Sequence, residues 1–248
     1  MDRARSGLRR RGWGGGLRTA GLLCACALWG FLAAAAGGPP AKPDPRLDDL
    51  IRRMDQVQKE IQTLKVSFKQ SNQFRMLKEP QVLKGTLVLK KPDTALYRYI
   101  SPSPLVFLVK DGDLLVYNPA QKRVMVQDIR RHQGRIVRYL GISQPMDELR
   151  QNFDVVWAGD ENGVAFLQLV PTKIRVKRKI SVLNFWVDEK TALLKAFEVV
   201  EAEGDRIRFD FSQWEINPQL TEDAFKVDIP AGVKVHRQVG DLWEPFKP

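Results

Sequence analysis

The sequence predicts a mainly β domain of about eleven antiparallel strands with one long and two short helices. Short stretches of alternating polar and apolar residues recur along most of the chain. The gaps between them hold Pro, Gly, Asp or Asn and are too short for helical crossovers, which favours a meander of neighbouring strands. One long stretch instead repeats its apolar residues at three- and four-residue steps, as an amphipathic helix does.

Residues 1–36 have the layout of a secretory signal peptide and are not expected to be part of the folded domain. Six Arg precede an apolar run from Leu22 to Ala36, and Gly and Pro follow it. The run is about fifteen residues long, which is short for a transmembrane helix, so cleavage near Ala36 is favoured over an uncleaved anchor. Residues 37–45 are expected to form a disordered lead-in, and residues 46–248 a single domain.

The strongly basic charge of the chain belongs partly to this signal. The formal net charge is +11, and loss of residues 1–36 removes six Arg and one Asp, which leaves +6. We therefore predict no nucleic-acid partner. Both cysteines, Cys24 and Cys26, lie in the signal. The remaining chain cannot use a thiol nucleophile or a cysteine-type zinc site.

The long helix is predicted near the start of the domain. Its apolar positions are Leu47, Leu50, Ile51, Met54, Val57, Ile61 and Leu64. Charged and amide residues separate them, so the helix has one apolar stripe. That stripe must cover another part of the molecule.

Strands are predicted in two groups after this helix. They span residues 66–70, 84–90, 96–100, 105–109, 114–117 and 123–127, then 153–158, 164–170, 180–188, 193–201 and 206–214. Between the groups, residues 133–151 show helix-like spacing that Gly141 and Pro145 interrupt, which predicts the two short helices. The tail from Asn217 to Pro248 carries enough apolar residues to dock on the domain.

The strands between Gly85 and Ile129 are apolar on more than one face. Two explanations remain open. In one, the helix covers one face of the sheet and the tail partly covers the other, as in an ordinary core. In the other, a curved sheet has an apolar concave face that is only partly filled, because mixed strand faces occur in both arrangements.

Residues suited to catalysis are scarce. His132 and His236 each lie in a charged stretch without a second His or Cys nearby, so solvated side chains are favoured over a metal ligand or a triad. We predict no enzyme activity, no metal and no cofactor. The basic cluster around Arg175, Lys177 and Arg178 is either a solvated strand edge or a contact for a partner or an anionic lipid.

The order of features from Leu83 to Ile129 resembles the periplasmic outer-membrane lipoprotein carrier family, LolA. The matching features are Gly85 and Leu87, Lys91-Pro92, Tyr97 and Tyr99 before Pro102, Asp111-Gly112, and Tyr117-Asn118-Pro119. The helix followed by Phe68-Lys69-Gln70 is similar to the family's opening, and residues 225–233 are similar to its ending. The resemblance spans residues 46 to 235.

This resemblance implies an incomplete, half-open antiparallel β-barrel that helices cover and that holds the acyl chains of a lipoprotein. The protein would be a periplasmic monomer that receives cargo from an inner-membrane transporter and passes it to an outer-membrane acceptor. Such a carrier is needed because each acyl CH₂ exposed to water costs about 0.8 kcal/mol. The alternative is a relative on the same scaffold that binds another lipid or senses envelope stress.

The resemblance and the alternation of side chains along each strand together predict which residues line the cavity. The expected acyl-chain cavity is lined by Leu87, Leu89, Ala95, Tyr97, Tyr99, Phe107 and Val109. The expected contacts to a helical lid are Lys91, Ile136 and Leu140. The chain departs from the family at two of these positions, since Arg is common at Lys91 and an aromatic residue at Ala95. Lysine keeps the charge but lacks the planar guanidinium fork.

Overall fold

The computed structural model describes residues 44–131 and 145–238, which form a mainly β domain. Their strands are β1 (Thr63–Gln73), β2 (Gln81–Lys90), β3 (Thr94–Ser101), β4 (Leu105–Lys110), β5 (Asp113–Asn118), β6 (Arg123–Asp128), β7 (Phe153–Glu161), β8 (Val164–Pro171), β9 (Ile180–Asp188), β10 (Leu194–Glu201), β11 (Arg206–Ile216) and β12 (Lys234–Gln238). The helices are α1 (Pro45–Glu60), α2 (Met146–Arg150) and α3 (Ile174–Lys177), with a 3₁₀ turn at Glu222–Phe225. The predicted fold class is confirmed.

Residues at the two ends of helix α1 determine where it begins and ends. Asp44 is the N-cap, its carboxylate accepts the Arg46 N–H at 2.9 Å, and Pro45 occupies the first turn, where no N–H is needed. The predicted continuation to residue 64 is wrong, because Ile61 is extended and closes the helix. Leu64 lies in β1, where alternation rather than helical spacing buries it.

All described strands belong to one open sheet. Its order is β12-β6-β5-β4-β3-β2-β1-β11-β10-β9-β8-β7, so two meanders meet where β1 pairs with β11. Every pairing is antiparallel except that of β12 with β6. The predicted set of about eleven strands lacked β12, a short strand in the tail. The sheet with its helices is an incomplete, half-open antiparallel barrel.

Helix α1 packs on one face of this sheet, which we call the inner face. Its stripe of Leu47, Leu50, Ile51 and Met54 shares a buried cluster with residues of β7 to β10. A second inner-face cluster spans β1 to β5 and includes Leu64, Leu87 and Val109. Val57 of α1 packs against both clusters, so the helix connects the two halves of the inner core.

The opposite face, which we call the outer face, is covered on β2 to β6 by the tail. Phe225 is 3% exposed and shares a cluster with Leu96, Tyr117 and Val124. The carboxylate of Glu222 accepts hydrogen bonds from Lys90 at 3.2 Å and from Lys110 at 2.6 Å. The tail therefore packs on the second apolar face of the strands from residue 85 to 129.

Helix α2 is attached to α1 by polar contacts. The N–H of Met146 donates to the buried carboxylate of Asp55 at 2.8 Å, which satisfies a donor that the first turn of a helix leaves free. Arg150 pairs with Asp48 at 2.7 Å. The second of the two predicted short helices corresponds to α2, whereas the first lies outside the described residues.

Candidate functional site

The structure brings the seven predicted lining residues together on the inner face of β2, β3 and β4. In the sheet register Leu87 lies opposite Tyr97, Leu89 opposite Ala95, and Tyr97 opposite Phe107. Ala95 in turn lies opposite Val109. Leu87, Leu89, Ala95, Tyr97 and Val109 are buried, whereas Tyr99 and Phe107 remain half-buried. Burial therefore decreases along β3 from Ala95 toward Tyr99.

The half-buried end of this wall continues into a row of aromatic rings, which we call the aromatic strip. Its members are Phe68, Tyr97, Tyr99, Phe107, Phe197, Phe209, Phe211 and Trp214. Phe68 contacts the Tyr99 ring at 5.1 Å and the Phe209 ring at 5.7 Å between centroids. Phe209 stacks on Phe197 at 4.9 Å. The strip therefore crosses the junction between the two meanders.

The aromatic strip contains residues that the sequence prediction of the lining did not include. Phe209 and Phe211 alternate with Arg208 and Asp210 along β11, so a two-residue period marked them as one face. Their neighbour Phe68 lies opposite Phe211, more than a hundred residues away in the chain. Alternation indicates that these rings share a face, but only the long-range pairing identifies the face.

Polar atoms along the strip form a short chain of hydrogen bonds. The Tyr99 hydroxyl donates to Oε1 of Gln70 at 2.8 Å, and Nε2 of Gln70 donates to Oδ1 of Asn72 at 2.8 Å. Burial raises the pKa of Tyr99 to about 12 and raises the pKa of Tyr97 well above its usual value. Both phenols are therefore neutral near neutral pH, and the strip presents an uncharged surface.

Lys91 lies at the C-terminal end of α1. Its Nζ donates to the backbone carbonyl of Gln58, one of the last carbonyls of the helix. Partial burial lowers the pKa of Lys91. A pocket of about 90 Å³ adjoins it, and its lining also includes Asp55, Lys59 and Asp147. The other predicted lid contacts, Ile136 and Leu140, lie outside the described residues.

The basic cluster lies elsewhere, on the connection between β8 and β9. Arg175 and Lys177 are on α3 and Arg178 follows it, and all three side chains are exposed. Lys173 and Lys179 flank them, and we call residues 173–179 the basic segment. In the described part of the chain, no carboxylate lies within ion-pair distance of these five cations.

Residues 44–131 and 145–238 contain no group of three His, Cys, Asp or Glu side chains arranged to hold a metal ion. None of their helices is long and apolar enough to cross a lipid bilayer. His236 lies on β12, and His132 falls outside the described residues.

An open antiparallel sheet whose inner face carries an apolar core and an aromatic strip defines a half-open β-barrel protein. Residues 59–228 match the family model of the outer membrane lipoprotein carrier protein LolA. This match covers more than half of the chain, and the chain belongs to the LolA family.

Two carrier proteins are similar to this chain in sequence, and one solved structure is similar to it in fold. An outer-membrane lipoprotein carrier protein of Dechloromonas aromatica is 28% identical over 184 residues, which are 71% of this chain and 82% of the relative. One from Cupriavidus pinatubonensis is 24% identical over 217 residues, 88% of this chain and 98% of the relative. An uncharacterized conserved protein of Thermus thermophilus shares the fold, with a TM-score of 0.50 at 8% identity over 77% of this chain and 99% of that one.

Proposed function

We propose that this protein is a periplasmic carrier that binds the acyl chains of lipoproteins on its inner face. Residues 1–36 would act as the signal peptide that exports it, and residues 46–248 would form the carrier domain. The observation that carries the proposal is the aromatic strip, because its half-buried rings continue directly into the buried wall of β2 to β4. Lipoprotein carriers among its relatives support it.

The acyl chains would enter at the aromatic strip. The pocket beside Lys91 is about 90 Å³, smaller than the roughly 300 Å³ at which ligand pockets begin, and charged residues line it. The strip offers uncharged rings, six of which remain partly open to solvent, whereas Phe68 and Tyr97 are buried. Transfer of apolar surface from water to these rings stabilises a complex by roughly 25 cal/mol per Å².

The deeper lining would become available only when α1 moves. Leu87, Leu89, Ala95 and Val109 are at most 3% exposed in a cluster against which Val57 of α1 packs. An acyl chain that occupies this cluster must replace contacts that α1 makes now. Lys91 would then act as a lid contact, because it joins β2 to the end of α1.

A pair of phenylalanine variants tests the proposal. Phe209→Ala removes a ring from the centre of the strip, whereas Phe166→Ala removes one that stacks on Trp186 on the outer face. Binding of a triacylated lipoprotein is measured by its transfer from membranes into a soluble complex. We expect about tenfold weaker binding for Phe209→Ala, since about 1.5–3 kcal/mol accompanies full burial of such a side chain, and unchanged binding for Phe166→Ala.

The identity of the cargo is read from the purified complex by mass spectrometry. A lipoprotein with its acyl chains supports the proposal. A different lipid, or a membrane sensor protein, would favour the alternative function on the same scaffold. Equal loss of binding in the two phenylalanine variants would contradict an inner-face site.

A further inference from the structure

Several loops with exposed apolar and basic residues lie at one end of the sheet. The connections β1–β2, β3–β4, β8–β9 and β10–β11 all leave the sheet at this end, because their strands alternate in direction. We call these four connections the rim. They follow one another along the sheet edge in the order β3–β4, β1–β2, β10–β11, β8–β9. The rim adjoins the half-buried end of the aromatic strip.

Hydrogen bonds join three of these four loops. The N–H of Arg75, in the β1–β2 loop, donates to the carboxylate of Asp205 at 2.8 Å, and its guanidinium donates to the Glu203 carbonyl at 2.7 Å. In the β10–β11 turn, the N–H of Ala202 donates to the carbonyl of Lys179 at 2.9 Å. The basic segment is therefore joined to the β10–β11 turn, and that turn to the β1–β2 loop.

Large apolar side chains project from this surface into solvent. Met76 is 96% exposed and Leu77 48% exposed at the tip of the β1–β2 loop. Ile174 is 67% exposed within the basic segment, and Ile100 is 64% exposed beside the β3–β4 connection. These residues do not form a groove, because they lie on two separate connections and at the end of strand β3.

The charge around these apolar residues is predominantly positive. The basic segment carries five cations among its seven residues and no carboxylate. Lys78, two residues after Met76, is also exposed and is followed by the exposed carboxylate of Glu79. A positive surface of this kind complements an anionic one, and each Lys or Arg near an anionic membrane contributes attraction that salt screens.

We propose that the rim docks on a membrane surface that contains anionic lipids. Met76, Leu77 and Ile174 enter the interfacial layer, while the basic segment contacts lipid headgroups. A bilayer accepts apolar side chains spread over several loops, whereas a protein partner requires a contiguous complementary surface. This docking goes beyond the carrier function, and it requires no bound cargo.

Vesicle binding by the purified protein tests this proposal. Mass spectrometry first determines the N-terminus of the purified protein. Vesicles of phosphatidylcholine alone are compared with vesicles that also contain phosphatidylglycerol, in a flotation assay at low and high salt. We expect binding to the anionic vesicles at low salt and its loss at high salt. Equal binding to both vesicle types, or no binding to either, would overturn the proposal.

Matched variants assign the binding to the rim. Lys177→Ser/Lys179→Ser removes two cations of the basic segment, and Lys59→Ser/Lys190→Ser removes two exposed lysines from the opposite end of the sheet. We expect about fivefold weaker binding per rim cation removed and no change for the control pair. Equal losses in the two double variants would contradict rim docking and indicate a nonspecific charge effect.

The apolar contribution is tested separately. Met76→Ser removes an apolar side chain that is 96% exposed, so the fold is unaffected. Ile216→Ser is the control, because Ile216 is an exposed apolar residue at the other end of β11. We expect about fivefold weaker vesicle binding for Met76→Ser alone. Unchanged vesicle binding in this variant, with binding to an acidic protein lost in the basic-segment variant, would identify a protein surface as the true partner.

Discussion

At the scale of single residues, Lys91 connects the sheet to α1. Its ammonium donates to the Gln58 carbonyl, where the partial negative charge of a helix end also attracts a cation. Lys91→Met keeps the apolar stem but removes this hydrogen bond. We expect the free energy of unfolding to fall by about 1 kcal/mol, measured by urea denaturation.

Two variants control the Lys91 experiment. Lys91→Arg retains a cationic donor and should recover most of the lost stability. Lys90→Met changes the neighbouring residue, whose Nζ bonds the exposed Glu222 on the outer face, so its cost should be small. A Lys91→Met protein as stable as the wild type would show that this contact does not hold α1.

The burial of Tyr99 makes the stability of the protein depend on pH in the alkaline range. Its pKa is about 12 in the folded protein because burial disfavours the phenolate, whereas the unfolded value is about 10. Below pH ~10 the stabilisation that follows from this difference is fully present, and it is lost as pH rises toward the folded value. We expect Tyr99→Phe to lose less stability over this range than the wild type.

The Tyr99 experiment combines two measurements. Ultraviolet absorbance of tyrosinate follows ionisation, and denaturation at several alkaline pH values follows stability. Near neutral pH, Tyr99→Phe should cost about 1 kcal/mol, because Gln70 loses its donor. An identical decline of stability with pH in the variant and the wild type would assign the alkaline sensitivity to other groups.

At the scale of elements, the tail is part of the core of the domain. Phe225 fills the outer face against Leu96 and Val124 and is 3% exposed. Phe225→Ala should lower the free energy of unfolding by about 3–5 kcal/mol, since it leaves a cavity. Val235→Ala, also in the tail but 60% exposed, should change little in the same urea titration. Similar effects of the two substitutions would mean that the tail is not docked through Phe225.

Local patterns predicted most of the elements. Alternation and turn residues predicted β1 to β11 because each strand carries its own period, and the apolar stripe predicted α1. The end of α1 was placed wrongly, because Leu64 fits both the helical spacing of the stripe and the alternation of β1. β12 was missed because Val235 is the only large apolar residue among its five, so it has little pattern of its own.

The inner face was harder to predict from the sequence than the elements were. Parity grouped Leu87 with Leu89 and Tyr97 with Tyr99, and these groups meet on the inner face. It could not decide which apolar face the tail covers, because both Leu96 and Tyr97 are apolar neighbours on β3. Phe68 and Phe209 come together only through the pairing of β1 with β11, which depends on the whole fold.

At the scale of the whole molecule, α1 covers parts of both halves of the inner core. Val57 packs against both inner clusters, and Phe211 of the strip also packs against both. A ligand that extends from the strip toward Leu87 therefore competes with α1 for the same apolar surface. The ladder of hydrogen bonds in the sheet runs between strands and does not include α1.

Hydrogen exchange measures this competition directly. With a palmitoylated peptide bound, we expect the amides of α1 to exchange faster, because the acyl chain replaces contacts of Val57. The amides of β2 to β4 should keep or gain protection, since the ligand lies on their inner face. The same peptide without its acyl group is the control and should change neither region. Slower exchange throughout α1 would contradict the displacement, because it would mean that cargo binds without moving the helix.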